Sequence, residues 1–141
     1  MRRITTCAFF DGGSDATFCL DSLVQELGLN DITPKSFTMK TANLEEERSG
    51  WEVQFNIESL EGDAKFQISN VLTTPYLPVT RRHIATKEDL RRWPHLYDVT
   101  LPHTGDRRVT IVIGGDRPDI MDKQLNKTEG QHGEPIAVKM P

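Results

Sequence analysis

The chain has 141 residues and a formal net charge of −4, with 36% of its residues hydrophobic and 27% charged. This length fits one globular domain with its own core, over residues 1–141, and is short for two. Because phosphate binding requires a basic face, the acidic balance argues against nucleic acid as the main partner. The sequence contains no N-terminal apolar signal and no apolar run of about 18 residues. It therefore predicts an intracellular, cytoplasmic protein with no membrane partner.

The first element is a predicted strand that ends in a carboxylate. Residues 2–10 are rich in β-branched and aromatic side chains, and Asp11 follows them on a Gly12-Gly13 turn. Glycines let the backbone fold tightly around a carboxylate and aim N–H groups at it, which suits a carboxylate that does chemistry. Asp11 is equally suited to capping a following helix. A phosphate cradle fits poorly, because no lysine follows the glycines.

Apolar residues at helical spacing follow this turn and predict the first helix. They are Ala16, Cys19, Leu20, Leu23, Val24 and Leu27. Ser14 or Asp15 is expected to cap the start of the helix, and Gly28 to end it. Cys19 would then lie on the buried face of the helix. Both cysteines, Cys7 and Cys19, are interpreted as reduced core residues and not as nucleophiles or a disulfide.

A period of two over residues 34–70 predicts two consecutive hairpins. The first spans about residues 36–57, with a polar, acidic tip at residues 41–50 and a clean alternation of apolar and polar residues after it. The second turns at residues 61–63 and returns along Ala64, Phe66, Ile68 and Val71.

Strand signals lapse over about residues 73–108, where only a short helix is predicted, at residues 87–93 with Thr86 as its cap and Pro94 as its end. A connection of this length is usually functional or faces a partner. A second apolar strand, residues 109–113, then ends in Gly114-Gly115-Asp116 and echoes the first. A short helix is expected at Pro118 with Asp116 as its cap. Its apolar face would consist of Ile120, Met121 and Leu125, and a final strand at residues 135–140 has no obvious partner.

Several segments together resemble a known family. Phe9-Phe10-Asp11-Gly12-Gly13-Ser14, the long hairpin and Ile111-Val112-Ile113-Gly114 resemble the catalytic loop, flap and apolar-apolar-Gly signature of retropepsin-type aspartic proteases. Further segments are similar to the peptidase domain of Pao (Bel/Pao) retrotransposon polyproteins. These are Trp93-Pro94-His95-Leu96, Asp98-Val99-Thr100-Leu101-Pro102, Ile113-Gly114-Gly115-Asp116-Arg117-Pro118 and Gly133-Glu134-Pro135-Ile136-Ala137-Val138-Lys139.

The resemblance implies a mainly β, retropepsin-like acid-protease fold: a closed, barrel-like subunit with one or two short helices and a flap, active as a homodimer. Each subunit would contribute one Asp11, and the two carboxylates would share a proton and activate water against a peptide bond. Gly12, Gly13 and Ser14 would complete the catalytic loop. The substrate would be an extended peptide from a retrotransposon polyprotein, in the cell or in the retrotransposon particle. Several further residues would bind this peptide. These are Asp15, Thr41, Ala42, Asn43, Leu44, Ile113 and Gly114. No metal or cofactor is implied.

The chain also departs from the family pattern. Retropepsins usually carry Ser or Thr directly after the catalytic Asp, and the hydroxyl braces the loops across the dimer, whereas this chain has Gly12, with Ser14 as a partial substitute. Some relatives use Arg at the position of Gly115 to pair with the acid equivalent to Asp15. The flap tip is acidic where many flaps are glycine-rich.

Three hypotheses therefore stand after the sequence is read: an active dimeric protease, a catalytically silent dimerisation or peptide-binding module with the same fold, and a monomeric β-rich interaction domain with a structural Asp11. A zinc hydrolase is disfavoured, because His83, His95, His103 and His132 lack ligand spacing. No Ser-His or Cys-His arrangement indicates nucleophilic catalysis.

Overall fold

The chain is mainly β with a few short helices, as the sequence predicts. The computed structural model describes residues 2–79, 84–101, 108–123, 126–135 and 137–139. The strands are β1 (Cys7–Asp11), β2 (Phe18–Leu20), β3 (Thr33–Lys40), β4 (Glu45–Glu58), β5 (Lys65–Thr74), β6 (Val109–Gly114), β7 (Asn126–Thr128) and β8 (Ala137–Lys139). The helices are α1 (Asp21–Leu27), α2 (Lys87–Arg91) and α3 (Pro118–Met121), with a 3₁₀ turn at Pro94–Leu96.

Six strands form one sheet in the order β1-β6-β2-β5-β4-β3, and β7 pairs with β8 in a separate two-stranded sheet. The larger sheet is a curled half-barrel with two edge strands, not the closed barrel that was expected. Two strands lie between β2 and β3, so a flat sheet would separate them by about 14 Å. The rings of Phe18 on β2 and Phe37 on β3 nevertheless have centroids 5.8 Å apart. The curl therefore brings the first hairpin back towards β2.

Strand β6 lies between β1 and β2 in this sheet, and five of its six residues are buried. It runs parallel to β1 and antiparallel to β2, so it separates two strands that are neighbours in the sequence. Its residues from Thr110 to Gly114 are all buried, which explains why all of them except Thr110 lack a polar side chain. The core cluster consists of Cys19, Leu23, Val24, Val53, Ile68, Val71, Ile111, Ile113 and Ile120.

The first helix begins later than predicted. Residues 18–20 form β2, which pairs with both β5 and β6, and α1 starts only at Asp21. Two ladders satisfy the backbone of this segment, and that tertiary pairing outweighs its helical spacing. Ser14 and Asp15 therefore do not cap the helix, whose N-cap is Leu20, and Cys19 is buried in a strand and not in a helix. The predicted end is confirmed, because Gly28 caps α1 with a left-handed φ of 66°.

Both predicted hairpins are confirmed, but the tip of the first is shorter than expected. The turn comprises Thr41–Leu44, and residues 45–50 already belong to β4. The prediction of a tip through residue 50 was wrong, because polar side chains of β4 pair across the strand with β3. Lys40 faces Glu45 in the register, with an ion pair of 3.9 Å.

In the second half of the chain, α2 has Thr86 as its N-cap in a capping box with Asp89, as predicted, and ends two residues early, at Arg91. Pro118 begins α3, but the expected Asp116 cap was wrong, since the N-cap is Arg117 without a side-chain bond. The final strand does have a partner: β8 pairs with β7, a strand too short to be recognised in the sequence. His83, Pro102, His103, Leu125, Ile136 and Met140 lie outside the described residues.

The two thiols differ in their environment. Both are free, and Cys19 is fully buried whereas Cys7 is partly exposed. Burial, with a smaller contribution from Asp21, raises the pKa of Cys19 from 9.0 to about 12. Only the thiolate reacts with alkylating reagents, so Cys19 is expected to stay unreactive at pH 8 in the folded protein.

Iodoacetamide labelling followed by mass spectrometry checks this expectation. The wild type should take up one label at Cys7, and Cys7→Ser should take up none until it is unfolded. The Cys19 thiol has a pKa of 9.0 in the unfolded chain and about 12 in the folded chain. Its ionisation therefore favours the unfolded state between these values: the free energy of unfolding is unaffected by this group below pH 9 and falls as the pH rises from 9 towards 12. Rapid native labelling of Cys7→Ser would contradict the buried placement of Cys19.

Candidate active site

Asp11 lies at the end of β1, where two glycine turns meet. In the parallel ladder the Cα partner of Asp11 is Gly114, the last residue of β6. Since parallel strands end at the same edge of a sheet, the Gly12-Gly13 and Gly114-Gly115 turns come together there. Asp11 is half-buried, and Gly12 and Gly13 are exposed. The carboxylate is thus presented at an accessible edge by a rigid element.

One backbone amide of the loop after Asp11 bonds its carboxylate, and another bonds its main-chain carbonyl. The Gly13 N–H donates to Asp11 Oδ1 at 3.0 Å, and the Ser14 N–H donates to the Asp11 carbonyl at 3.1 Å. A Cβ on Gly13 would lie 3.3 Å from Asp11 Oδ1, so the missing side chain allows this close turn. The Ser14 hydroxyl donates to the carbonyl of Ala16 at 2.8 Å, so its single proton is used within its own loop.

The same loop packs directly on the end of β6. The Gly115 N–H donates to the Ser14 carbonyl at 2.8 Å. A Cβ on Gly114 would lie 2.3 Å from the Ala16 carbonyl oxygen and 2.7 Å from that of Ser14. The loop therefore contacts β6 through backbone, and only glycine fits at position 114.

Three residues that sequence reasoning did not assign to the site join the end of this loop to the end of β6. Thr17 is completely buried, and its hydroxyl donates to Asp116 Oδ1 at 2.8 Å and accepts from the Gly114 N–H at 3.2 Å. Arg117 pairs with Asp116 at 3.5 Å and reaches the carbonyl of Ser69. The acid after the second glycine pair was noticed in the sequence, but as a helix cap. No sequence signal joins Thr17 to it, because the two are 99 residues apart.

The other predicted site residues are placed as follows. Asp15 is exposed on the surface of the loop. Ile113 is only 1% exposed and packs in the core, so its side chain is not presented to a peptide in the single chain. Arg117 is the arginine near this turn and pairs with Asp116, whereas the family pattern pairs an arginine with the acid equivalent to Asp15.

The four tip residues Thr41, Ala42, Asn43 and Leu44 are all exposed, and Leu44 is 59% exposed. The turn is closed by Thr41, whose N–H donates to the Leu44 carbonyl at 2.7 Å. Behind the tip, Arg48 joins β4 to the end of β5 and to the residues that follow it. Its guanidinium donates to Thr74 Oγ1 and to the Tyr76 hydroxyl, both at 3.2 Å, and lies 5.1 Å from the Tyr76 ring centre. Arg48 therefore holds β4 four residues after the exposed tip.

No family model, no characterised protein and no solved structure matches the chain. Within the described ranges, no group of three His, Cys, Asp or Glu residues is arranged to hold a metal ion. The helices in that part of the chain are too short or too polar to cross a membrane. The geometry around Asp11 is consequently the observation that bears most directly on function.

Proposed function

We propose that this chain is a retropepsin-type aspartic endopeptidase that acts as a homodimer and cleaves extended peptide segments, with a retrotransposon polyprotein of the Pao type as its substrate. One observation supports this more than any other. Asp11 ends a strand that lies against the end of β6, its carboxylate accepts the Gly13 N–H, and the loop that carries it packs on Gly114 with no space for a side chain. A carboxylate held this way by backbone is prepared for chemistry.

The proposed mechanism needs two copies of Asp11, one from each subunit, facing each other across a two-fold axis. Two carboxylates so close cannot both ionise, so the pair holds one proton. The ionised member takes a proton from water, whose oxygen attacks the scissile carbonyl carbon, while the protonated member donates its proton to the carbonyl oxygen. The carboxyl that took the proton of water then gives it to the amide nitrogen. As the C–N bond breaks and the amine leaves, the other carboxylate takes a proton from one hydroxyl of the gem-diol, so the pair again holds one proton. Because the mechanism needs one protonated and one ionised carboxyl, we expect maximal activity on the acid side of neutral pH.

The substrate would lie extended between the Asp11 loop and the flap formed by β3, β4 and the Thr41–Leu44 tip. Exposed backbone at the tip and at the loop can add strand-like hydrogen bonds to such a peptide. Closing the tip would exclude water from the reacting carbonyl. Asp15, which is exposed next to the catalytic loop, would hold substrate backbone N–H groups, as the resemblance implies.

The test is the cleavage of a denatured-protein library between about pH 4 and 7 by a sample whose dimeric state has been established by light scattering. Cuts that are strongest on the acid side, and that are absent with Asp11→Asn, support the proposal. A dimeric wild-type sample that makes no cuts contradicts it.

A catalytically silent module of the same fold is the second candidate, and a specific observation favours it. Gly12 has no hydroxyl to brace the dimer, and the Ser14 hydroxyl proton is engaged by Ala16. Binding of peptides without cleavage by a dimeric sample would identify this candidate. A monomeric mass in light scattering would instead favour the third hypothesis, an interaction domain in which Asp11 is structural.

Gly12→Ser is expected to strengthen the dimer. The site accepts a side chain, because a Cβ at position 12 would meet only Met121 Cε, at 3.7 Å, and the backbone is not left-handed there. In the family arrangement each hydroxyl reaches across the axis, which adds two symmetry-related hydrogen bonds of about 1 kcal/mol each. The dimer dissociation constant should fall about 30-fold, as measured by analytical ultracentrifugation.

Gly12→Ala is the matched control, since it adds the same Cβ without the hydroxyl. Equal dissociation constants for the serine and alanine variants would show that no hydroxyl reaches across the interface.

A further inference from the structure

We propose that Thr17, held by Asp116 and Arg117, is a positioning residue that keeps the Asp11 loop seated on β6. Its catalytic consequence rests on the peptidase function proposed above, but its effect on the loop does not. These three residues form a hydrogen-bond network that the proposed catalytic mechanism does not itself use.

Thr17 is the centre of this network. It is 0% exposed, and its one hydroxyl makes three contacts: it donates to Asp116 Oδ1 at 2.8 Å and accepts from the Gly114 N–H at 3.2 Å and the Arg117 Nε–H at 3.4 Å. A buried hydroxyl with a full set of partners is costly to remove or to leave unpaired. The backbone of Thr17 is also bonded to the sheet, because its carbonyl accepts the Leu72 N–H of β5 at 3.0 Å.

Arg117 connects Thr17 to strand β5. Besides Asp116 and Thr17, its guanidinium donates to the carbonyl of Ser69. Ser69 lies in a bulge of β5, where Ser69 and Asn70 together oppose one residue of β4 and Asn70 takes a left-handed φ of 55°. The Arg117 side chain is 13% exposed and that of Asp116 is 30% exposed, so the ion pair is partly shielded from water. One planar guanidinium thus ties the bulge, the threonine and the end of β6 together.

The network bears on Asp11 through backbone alone. Thr17 fixes the Gly114 N–H, Gly114 is the ladder partner of Asp11, and the next amide, Gly115 N–H, holds the Ser14 carbonyl. Without the Thr17 hydroxyl, the C-terminal end of the 12–16 loop loses its bonds to the Gly114 N–H and to Asp116. A loop displaced by a fraction of an ångström would misplace a carboxylate that must face its partner closely.

The experiment compares Thr17→Val, which keeps the shape and removes the hydroxyl, with Thr17→Ser, which restores it. Thr110→Val is the matched control, because Thr110 is also a buried threonine, lies at the opposite end of β6 and bonds Thr6 at 2.6 Å. Amide hydrogen exchange of Gly13, Ser14, Gly114 and Gly115 is measured by NMR on the full chain. Thr17→Val should speed exchange at Gly114 and Gly115 about tenfold relative to Thr110→Val, and Thr17→Ser should restore slow exchange.

Turnover supplies the second readout. If the wild type cleaves in an Asp11-dependent manner, Thr17→Val should lower kcat about tenfold with KM within about twofold, since the hydroxyl does not touch the peptide. If the wild type cleaves nothing, the proposed function fails while the exchange data still decide the role of Thr17.

If Thr17→Val does not fold, Arg117→Lys takes its place. Lysine has a single nitrogen, so it lacks the arrangement in which Nε contacts Thr17 and Asp116 while another guanidinium nitrogen bonds the Ser69 carbonyl. The control is Arg108→Lys, because Arg108 forms an exposed ion pair of 3.7 Å with Glu26. Loop exchange in Thr17→Val or Arg117→Lys that is no faster than in the matched control overturns the proposal.

Discussion

If the chain is the proposed dimeric peptidase, Asp11→Asn is expected to lower kcat by at least about a thousandfold while leaving the thermal stability and the mass of the dimer unchanged. An amide neither accepts the proton of water nor donates one to the scissile carbonyl oxygen, so both halves of the acid and base chemistry are lost. The substitution keeps the size of the side chain and an oxygen that can accept the Gly13 N–H. Steady-state cleavage of one peptide identified from the library measures the effect.

Mixed dimers make this prediction sharper. If both copies of Asp11 form one site, a dimer in which one subunit carries Asp11→Asn is inactive, and an equimolar mixture of variant and wild-type subunits, refolded together, retains about a quarter of the wild-type activity. Subunits that each carried a complete site would retain about half. Asp31→Asn, at an exposed position, is the matched control and should leave the activity of such mixtures unchanged. Retention of half the activity would rule out the shared site.

Gly114→Ala is expected to have the largest effect on stability. Its Cβ would lie 2.3 Å from the Ala16 carbonyl oxygen, 2.7 Å from that of Ser14 and 2.8 Å from the Ala16 carbonyl carbon. All three atoms are backbone, so relief requires moving the 14–16 segment and breaking the bond between Gly115 N–H and the Ser14 carbonyl. Overpacking of this kind costs about 3 kcal/mol, which corresponds to a fall in Tm of about 10 °C for a chain of this size.

The neighbouring glycine offers a matched control within the same turn. A Cβ on Gly115 would be 3.5 Å from the nearest carbonyl oxygens, those of Gly12 and Ser14, which is ordinary contact. Gly115→Ala should therefore melt within about 2 °C of the wild type, as measured by calorimetry. Equal Tm values for the two alanine variants would refute the backbone contact between the loop and β6.

Local pattern was sufficient wherever an element depends on its own residues. The alternation after Trp51 predicted β4, the apolar run before Gly114 predicted β6, and Thr86 and Gly28 predicted the cap of one helix and the end of another. Each of these signals is read within a few consecutive residues. Alternation marks a strand with one buried face, a continuous apolar run marks a buried strand, and Thr86 and Gly28 satisfy backbone groups within one turn of their helices. The place of Asp11, at the end of a strand and on a glycine turn, followed from the same reasoning.

Predictions failed where pairing is long-range. Phe18–Leu20 was expected to be helical, but it lies between β5 and β6, and both partners come from distant parts of the chain. Strand β8 was left without a partner, because β7 has only three residues. One failure was local. Residues 45–50 were assigned to a tip because they are polar, although their register with β3, the other strand of the same hairpin, continues through them.

By itself, the sequence determined that this is a mainly β chain with one carboxylate set on a glycine turn, because strand period, apolar runs and glycines act over a few residues. Only the tertiary structure decided that β6 enters between β1 and β2, so that the second glycine turn meets the first. It also decided that Thr17, Asp116 and Arg117 form one hydrogen-bonded group at the end of the Asp11 loop. The physical reason is that these contacts join residues about a hundred positions apart, and their geometry exists only once the sheet has curled and its core has packed.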